Sequence, residues 1–181
     1  MIISMRNADW LRNGLIDLIS NVKNDSIKMI EVGSYAGESA DIFASQDKVK
    51  EIWCIDPWLS GYDDGDEASH TDFNEVEAAF DKVMTKHSPK IHKFKGTLQQ
   101  FCDVHKDDFA PDLVYIDANH TYEGCRTDIE TAMNAWKHPY YMAGHDYANW
   151  CPGVMQAVNE KFGAPTMTFS DSSWMVYLNR R

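Results

Sequence analysis

The segment KMIEVGSYAGES, residues 28–39, decides how the chain folds. Its first five residues form a short apolar run that predicts a buried strand, and Gly33 ends that run. Residues 37–45 then have the spacing of a helix, with Ile42 and Phe43 facing inward. A buried strand that passes through a glycine turn into a helix is typical of a strand–helix–strand unit, so we expect a parallel sheet.

The same alternation of strand and helix continues on both sides of this segment. Repeated alternation predicts parallel strands joined by right-handed crossovers, with helices on both faces. We therefore expect one α/β domain over residues 1–181, a doubly wound sandwich with a mostly parallel seven-stranded sheet and an antiparallel C-terminal strand, preceded by a helix within residues 1–27. The predicted helices are 8–23, 37–45, 73–87, 97–105, 121–136 and 153–162, and the predicted strands are 28–32, 49–55, 90–95, 112–117, 140–144, 166–169 and 174–179.

The stretch that follows the second strand is irregular. Residues 57–72, PWLSGYDDGDEASHTD, have no periodicity and are rich in acids. Long loops without secondary structure inside compact domains are usually functional or disordered. We predict that this loop is a solvated lid that closes over a bound substrate.

The composition limits the class of protein. The chain has 181 residues, 17 Lys and Arg against 28 Asp and Glu, a formal charge of −11, and 44% hydrophobic residues. That content supports a packed core and argues against disorder, while the negative charge disfavours nucleic acid as a partner. No apolar stretch approaches the ~20 residues that span a bilayer and no signal peptide is evident, so we expect a cytoplasmic protein without a membrane partner. The cysteines are widely spaced and fit buried thiols of a reducing compartment: Cys54, Cys102, Cys125 and Cys151.

Candidate ligand-binding residues follow the first two strands, where doubly wound sheets bind their ligands. Glu31, Gly33 and Gly37 surround a turn that lacks the middle glycine of a dinucleotide-binding GxGxxG motif, which disfavours a nicotinamide-dependent dehydrogenase. An acid at Glu31 suits a cationic or hydroxylated ligand, although a plain strand-to-helix turn also explains the glycines. Asp56, 25 residues beyond Glu31, is placed to hold ribose hydroxyls unless it is only a surface acid before Pro57.

Two later strands end in side chains that are able to bind metals. Asp117 and His120 follow one strand, and His145 and Asp146 follow the next. If these strands are neighbours, Asp117, His145 and Asp146 meet, and carboxylates with an imidazole hold divalent ions. Helix capping by Asp117 or Asn119 and ordinary loop polarity around His145 are the alternatives.

Together these motifs resemble a known family. The pattern ExGxxxGxS from Glu31, IDPW from Ile55, DLVYIDANHTYEGCRTDIE from Asp112 and AGHDY from Ala143 is similar to the class I S-adenosylmethionine-dependent methyltransferases. The narrower likeness is to the small-molecule O-methyltransferase branch that includes macrocin O-methyltransferase and the cephalosporin-hydroxylase-like proteins, and it covers residues 28–162. It implies a Rossmann-like fold, S-adenosylmethionine as cofactor and methyl transfer to a hydroxyl.

The resemblance also implies how the cofactor is held. The first motif matches the one that cradles the methionine part, Asp56 matches the acid that binds the ribose hydroxyls, and Thr97 and Leu98 fall where the adenine is approached. The cofactor-binding residues implied in this way are Glu31, Gly33, Ser34, Tyr35, Gly37, Asp56, Pro57, Trp58, Thr97, Leu98 and Asp117.

The same resemblance implies a metal site and a base. Asp117, His145 and Asp146 match the family's metal positions, and the family commonly has an acid where this chain has His145. That replacement removes a negative charge and favours a softer ion than Mg²⁺. His120 stands where metal-dependent catechol-type relatives carry a lysine base, so His120 and Asp117 are the predicted catalytic residues.

We therefore expect an S-adenosylmethionine-dependent methyltransferase that O-methylates a small molecule, assisted by Mg²⁺ or another divalent metal. A homodimer is compatible with the resemblance. Two alternatives stay open. One is a hydroxylase-like enzyme on the same scaffold, and the other is a non-catalytic S-adenosylmethionine-binding accessory protein, for which the replacement at His145 is the best support.

Overall fold

A computed structural model describes residues 9–138 and 140–179. Residues 1–8 and the side chain of Trp10 lie outside the described part. The sequence assigns both to the N-terminal region that contains the first predicted helix. The helices are α1 (Asp9–Asn21), α2 (Glu38–Ala44), α3 (Phe73–Lys86), α4 (Leu98–His105), α5 (Tyr122–Ala135) and α6 (Pro152–Phe162). The strands are β1 (Ile27–Val32), β2 (Val49–Asp56), β3 (Ile91–Lys95), β4 (Leu113–Ile116), β5 (Tyr140–Gly144), β6 (Met167–Thr168) and β7 (Trp174–Leu178).

The strands form one seven-stranded sheet in the order β3-β2-β1-β4-β5-β7-β6. β1 to β5 pair in parallel, whereas β7 is antiparallel to both β5 and β6. β2 and β4 flank β1, so the winding of the chain reverses at β1, and such a switch point leaves a crevice at the carboxyl ends of the strands. The predicted doubly wound fold with its antiparallel C-terminal strand is confirmed.

Both faces of the sheet are covered, which explains the apolar runs in the sequence. Successive residues of a strand point to opposite faces. In β1, Met29 joins the core that contains Phe43 of α2 and Phe80 of α3, while Ile30 joins the core that contains Phe101 of α4 and Ile129 of α5. Strands buried on both sides lack the polar alternation of half-exposed strands.

The observed elements differ from the predicted ones at their ends and in one loop. β6 comprises only Met167 and Thr168, shorter than the predicted strand at 166–169. The segment at 57–72 contains a 3₁₀ helix, Glu67–His70, which the sequence did not predict. Its N-cap, Asp66, accepts a hydrogen bond from the backbone N–H of Ala68 at 2.9 Å. Such a cap satisfies a first-turn donor and requires no apolar period.

The cysteines are free thiols, as the sequence predicts. Cys54, Cys102 and Cys125 are buried and Cys151 is half-buried. Burial raises the pKa of the Cys102 and Cys125 thiols to about 12, so these side chains stay protonated and pack as small apolar groups. In the part of the chain that the structure describes, each helix is too short or too polar to cross a bilayer.

Candidate active site

A cleft of about 210 Å³ opens at the carboxyl ends of β1, β2 and β4, at the switch point of the sheet. Seven of the eleven residues that the resemblance implies for cofactor binding line it, namely Gly33, Tyr35, Asp56, Pro57, Thr97, Leu98 and Asp117. Its other lining residues are Val32, Ile55, Tyr62, Gly96, Ala118, Asn119 and Asp128. The parallel strands bring these distant parts of the sequence together because their carboxyl ends share one edge.

Gly33 fixes the floor of the cleft. Its φ of 87° lies in the left-handed region, and an added Cβ would lie 2.0 Å from the carbonyl oxygen of Asp117. Its N–H also donates to the carbonyl of Ile55 at 2.8 Å. The turn after β1 is therefore packed directly against the end of β4, and no side chain larger than hydrogen fits there.

Glu31 lies beneath this turn and does not line the cleft. It is fully buried, and its Oε2 accepts a hydrogen bond from the Ser34 hydroxyl at 2.6 Å. Its Oε1 is also buried and has no hydrogen-bond partner of standard geometry within the described residues. Burial raises the pKa of Glu31 to about 7, because removal from water penalises the charged form more than the hydrogen bond from Ser34 favours it.

Asp56 ends β2 and presents its carboxylate to the cleft. Its Oδ2 accepts a hydrogen bond from the Tyr35 N–H at 2.9 Å, and its Oδ1 accepts one from the Trp58 N–H at 2.6 Å. Burial raises the pKa of Asp56, and these two hydrogen bonds oppose that effect. Each carboxylate oxygen accepts more than one hydrogen bond, so both oxygens retain capacity for ligand hydroxyls.

The remaining implied residues stand behind the lining. Trp58 is buried, its ring centroid lies 4.9 Å from that of Phe80, and Lys93 Nζ lies 4.7 Å from the Trp58 ring centroid. Its indole N–H donates to the carbonyl of Tyr35 at 2.9 Å. Ser34 and Gly37 likewise do not line the cleft. Ser34, Gly37 and Trp58 thus belong to the turns after β1 and β2, and neighbouring residues line the cleft.

Three of the four described non-glycine residues with left-handed φ lie at this edge of the sheet, and the fourth, Ser172, lies in the turn before β7. Tyr35, Trp58 and Asp146 have φ values of 45°, 45° and 58°, in the left-handed region that non-glycine residues seldom adopt. Tyr35 follows β1, Trp58 follows β2 and Asp146 follows β5, so each lies just beyond the carboxyl end of a strand. Such conformations persist only where the surrounding structure enforces them, and they cluster at functional sites.

Two imidazoles and two carboxylates meet beside the cleft. β4 pairs with β5 so that Ile116 lies opposite Gly144, which places Asp117 beside His145 and Asp146. His120 Nε2 lies 3.2 Å from Asp146 Oδ2 and 3.7 Å from Asp117 Oδ1. His145 Nδ1 lies 3.1 Å from Asp146 Oδ2 and 4.0 Å from Asp117 Oδ1. Both rings thus face the same pair of carboxylates.

The charges of this cluster shift the pKa values of its members. The neighbouring carboxylates of Asp117 and Asp146 raise the pKa of the His120 imidazole to about 10. Burial disfavours the charged form of His145, but the charge of Asp117 and the hydrogen bond to Asp146 outweigh burial and raise its pKa to about 9. Burial likewise opposes the charge on Asp146, yet the two imidazoles hold its pKa well below the usual range.

The donor set of this cluster fits a divalent cation. Asp117, His120 and Asp146 each offer one ligand atom, and the three atoms lie within 4.8 Å of one another. Carboxylate oxygens with an imidazole nitrogen suit Mn²⁺, Fe²⁺ or Zn²⁺ as well as Mg²⁺. The sequence predicts His145 as the third ligand, whereas His120 is the ring in this compact group. The buried Nε2 of His145 has no hydrogen-bond partner among the described residues.

The acidic segment at 57–72 is attached to this site. Asn119 Nδ2 donates to the carbonyl of Tyr62 at 2.5 Å, and the Tyr62 hydroxyl donates to Asp66 Oδ2 at 2.9 Å. The same Asp66 oxygen lies 3.7 Å from His120 Nδ1. His120 therefore faces a carboxylate on both of its ring nitrogens. A metal-bound imidazole commonly has such a carboxylate on its second nitrogen.

Sequence reasoning gave no role in the site to three of its residues. Asn119 was noted only as a helix cap, and Asp66 lies in a loop without periodicity. Asp128 lies within α5, where an acid is typical of a solvated helix face, yet it lines the cleft. Only Asn119 carried a usable signal, because it directly follows the end of an apolar strand.

The fold and the position of the cleft place the chain among the Rossmann-like α/β proteins. A family model described as a methyltransferase domain matches residues 30–147. The chain therefore belongs to the methyltransferase-domain family. The match begins in β1, ends just after Asp146 and so includes the glycine turn, Asp56 and the carboxylate–imidazole cluster.

Known proteins with a similar sequence or fold include two solved methyltransferases and one uncharacterized relative. A solved structure of the calicheamicin methyltransferase CalS11 is 14% identical, covers 91% of this chain and 77% of its own, and has a TM-score of 0.67. The O-methyltransferase TomG from Streptomyces achromogenes, solved with SAM, is 9% identical and covers 93% and 80%, with a TM-score of 0.60. A curated relative, uncharacterized protein R132 of Acanthamoeba polyphaga mimivirus, is 22% identical over 81% of this chain, and the match spans 64% of the relative's length.

Proposed function

We propose that this protein transfers a methyl group from S-adenosylmethionine to a hydroxyl of a small molecule, assisted by a divalent metal ion. The position of Asp117 carries the proposal. Asp117 lines the cleft and also belongs to the carboxylate–imidazole cluster. A methyl donor bound in the cleft and an acceptor hydroxyl bound at the cluster would therefore lie next to each other, because both would contact Asp117. An in-line displacement requires such proximity of the methyl carbon and the attacking oxygen.

The cleft residues fit the proposed cofactor. Asp56 keeps acceptor capacity on both oxygens after its two backbone hydrogen bonds, which suits the two hydroxyls of a ribose. Gly33 lets a ligand approach the backbone of the turn closely. The unpartnered, buried Oε1 of Glu31 lies under the same turn, where the positively charged methionine part would stabilise its carboxylate.

Asp117, Asp146 and His120 are the residues that we propose hold the metal. When bound, a divalent ion supplies Lewis acidity that lowers the pKa of a coordinated hydroxyl. We favour His120 over His145 because its ligand atom shares the 4.8 Å group with both carboxylates. In this arrangement His145 supports Asp146 through its Nδ1 at 3.1 Å.

The alternative arrangement keeps His145 as the metal ligand and His120 as the general base. A base must be unprotonated at the operating pH, and Asp117 and Asp146 raise the pKa of His120 to about 10. His120 would therefore accept a proton from the acceptor only after another cation neutralises these carboxylates. A divalent ion held by Asp117, Asp146 and His145 would supply that charge, so this arrangement is the second candidate.

A large exposed aromatic side chain beside the cluster supports a small organic acceptor. Trp150 is 72% exposed, and its indole N–H lies 3.3 Å from Asp146 Oδ1. Tryptophan is enriched at interfaces because its ring offers an apolar face and a polar N–H. We propose that the acceptor stacks its apolar part on this ring while its hydroxyl reaches the cluster.

The proposal is tested by separating cofactor binding from turnover. Calorimetric titration with S-adenosylhomocysteine should show binding that Asp56→Ala abolishes, and transfer of labelled methyl to a panel of catechols and sugars should require a divalent ion. Asp117→Asn should abolish turnover and leave cofactor affinity nearly unchanged. Binding without turnover on any acceptor would favour the accessory-protein alternative, and turnover of the same acceptors to hydroxylated products would favour the hydroxylase-like one.

A further inference from the structure

The acidic segment at 57–72 contacts both halves of the site through neighbouring residues. Tyr62 lines the cleft, and its hydroxyl donates a hydrogen bond to Asp66 Oδ2 at 2.9 Å. The same Asp66 oxygen lies 3.7 Å from His120 Nδ1, and His120 Nε2 lies 3.2 Å from Asp146 Oδ2. A continuous series of polar contacts therefore connects the wall of the cleft with the carboxylate–imidazole cluster.

The position of the Asp66 carboxylate is fixed by the fold of this segment. Its Oδ1 accepts a hydrogen bond from the Ala68 N–H at 2.9 Å and so caps the 3₁₀ helix Glu67–His70, which leaves Oδ2 for Tyr62 and His120. Both oxygens thus have a partner within the segment. Any movement of the segment relative to the cluster therefore moves this carboxylate relative to the imidazole.

The segment is in turn held by residues that line the cleft. The hydroxyl oxygens of Tyr35 and Thr71 lie 3.2 Å apart, at hydrogen-bond distance, and Asn119 Nδ2 donates to the carbonyl of Tyr62 at 2.5 Å. Tyr35, Tyr62 and Asn119 all line the cleft. A ligand in the cleft would contact the residues that hold the segment, and it would thereby restrict the motion of Asp66.

Asp66 has a defined task when a metal ion occupies the cluster. An imidazole that binds a metal through Nε2 carries its proton on Nδ1, and a carboxylate that accepts this N–H fixes the tautomer and the orientation of the ring. The 3.7 Å between Asp66 Oδ2 and His120 Nδ1 exceeds the length of a hydrogen bond, so a small approach of segment and ring is required to form one. Metal binding at Nε2 would therefore draw the segment toward the cluster.

We infer that Asp66 is a positioning residue that couples the two halves of the site, so that an adenosyl ligand in the cleft and a divalent ion at the cluster each strengthen the binding of the other. Both ligands would order the same segment, and the second ligand to bind finds that ordering already achieved. The inference rests on the proposed function, since it presumes that both ligands bind. Thermodynamic linkage requires the two effects to be equal, so the coupling is measurable from either side.

Calorimetric titration with Mn²⁺ and S-adenosylhomocysteine measures this coupling without turnover. The coupling factor is the ratio of the Mn²⁺ dissociation constants without and with saturating S-adenosylhomocysteine, and the reverse titration must return the same ratio. S-adenosylhomocysteine lacks the sulfonium charge of the methyl donor, so direct repulsion between the two ligands contributes little. We expect a factor of about five or more in the wild-type protein, which is the range for coupled sites.

Two conservative variants interrupt the series of contacts at different points. Tyr62→Phe removes the donor to Asp66 and keeps the ring, whose centroid lies 6.0 Å from that of Phe73. Asp66→Asn removes the charge and keeps an oxygen for the Ala68 cap. Both variants should abolish the coupling, and Asp66→Asn should also weaken Mn²⁺ binding by about 10- to 100-fold. Asp64→Asn removes the same charge from an exposed position of the segment and should keep the wild-type factor.

The outcomes separate this inference from the function on which it rests. A purely structural role of Tyr62 or Asp66 would change both Mn²⁺ dissociation constants alike and leave their ratio unchanged. A wild-type protein that binds both ligands without coupling, or variants that keep the wild-type factor, would show that the assignment of Asp66 is wrong while the proposed function stands. If the wild-type protein binds S-adenosylhomocysteine but not Mn²⁺, the metal assistance in the proposed function fails together with this inference. If it binds neither ligand, the proposed function fails altogether. Because the two variants test the same series of contacts, one that does not fold leaves the decision to the other.

Discussion

The side-chain amide of Asn119 donates a hydrogen bond to the carbonyl of Tyr62 at 2.5 Å, although 57 residues separate them in the chain. This contact joins the turn after β4 to the acidic segment at 57–72. The same Asn119 uses its Oδ1 to accept a hydrogen bond from the Thr121 N–H at 2.9 Å, so one side chain organises both the start of α5 and the edge of the site.

Asn119→Asp isolates the contact with Tyr62. The substitution keeps the oxygen that serves Thr121 and removes the N–H donor, so a carboxylate would face the carbonyl of Tyr62. We expect amide hydrogen exchange within residues 57–72 to accelerate about tenfold, as the loss of one hydrogen bond implies, while exchange in α5 stays unchanged. Equal acceleration in both regions would mean that Asn119 acts on general stability and does not specifically hold this segment.

His120→Gln and His145→Gln distinguish the two arrangements of the metal site. We expect His120→Gln to weaken Mn²⁺ binding in calorimetry by more than about a hundredfold, because it removes a ligand. His145→Gln should weaken it by about 10- to 100-fold, the effect of removing a group that only orients a ligand. The reverse order would reinstate His145 as ligand and His120 as base. His92→Gln, far from the cluster on β3, serves as the control.

Gly33→Ala tests whether the floor of the cleft tolerates a side chain. Gly61 provides a matched control, because its φ of 78° is also left-handed but nothing lies within 4 Å of an added Cβ. We expect Gly61→Ala to cost about 1–2 kcal/mol of unfolding free energy from backbone strain alone. Gly33→Ala should cost clearly more in urea unfolding and should abolish binding of S-adenosylhomocysteine, because its Cβ would displace the end of β4. Similar losses in the two variants would contradict the close packing.

Glu31→Gln tests the buried carboxyl through the pH dependence of stability. The pKa of Glu31 is raised from 4.5 to about 7 in the folded protein, so between these values the folded state holds a proton that the unfolded state has released. Wild-type stability should therefore fall by about 3 kcal/mol as pH rises from 4.5 to 7 through this group. The variant lacks this dependence, so urea unfolding at pH 5 and pH 7.5 should show its stability relative to the wild type improving with pH.

A parallel response of the wild type and the Gln variant to pH would show that Glu31 is not the source of the dependence. Glu67→Gln removes an exposed acid and should follow the wild-type curve. Saturating S-adenosylhomocysteine should reduce the wild-type loss at pH 7, since the positively charged part of the ligand would favour the Glu31 carboxylate.

The strand ends were the predictable part of this site. Asp56, Asp117 and Asp146 stand directly after apolar runs, and parallel strands bring such positions to one edge of the sheet. The sequence therefore predicted which carboxylates would meet. The orientation of a ring was not predictable, because His120 is three residues beyond Asp117 and its side-chain torsions determine whether Nε2 faces the carboxylates or solvent.

Residues outside the strand ends carried no comparable signal. Asp66 reaches His120 from a loop, where no periodicity fixes which side chains point inward. Asp128 occupies a helix position that a solvated acid would occupy equally well, and only the packing of α4 beside α5 turns it toward the cleft. Periodicity determines which face of an element is buried, but contacts between elements determine what a half-buried polar residue meets.

The short strand β6 has a consequence for association between molecules. Open sheet edges invite strand addition from other chains, and here the two edges are β6, with two residues, and β3, which carries His92, Lys93 and Lys95 among its five. Lys93 and Lys95 are held by acids of α3, including Glu77 at 2.7 Å and 2.6 Å. Short length and edge lysines both discourage edge-to-edge pairing. A dimer of this domain would accordingly be built from helix or loop surfaces, and it would leave the sheet of each subunit closed to its partner.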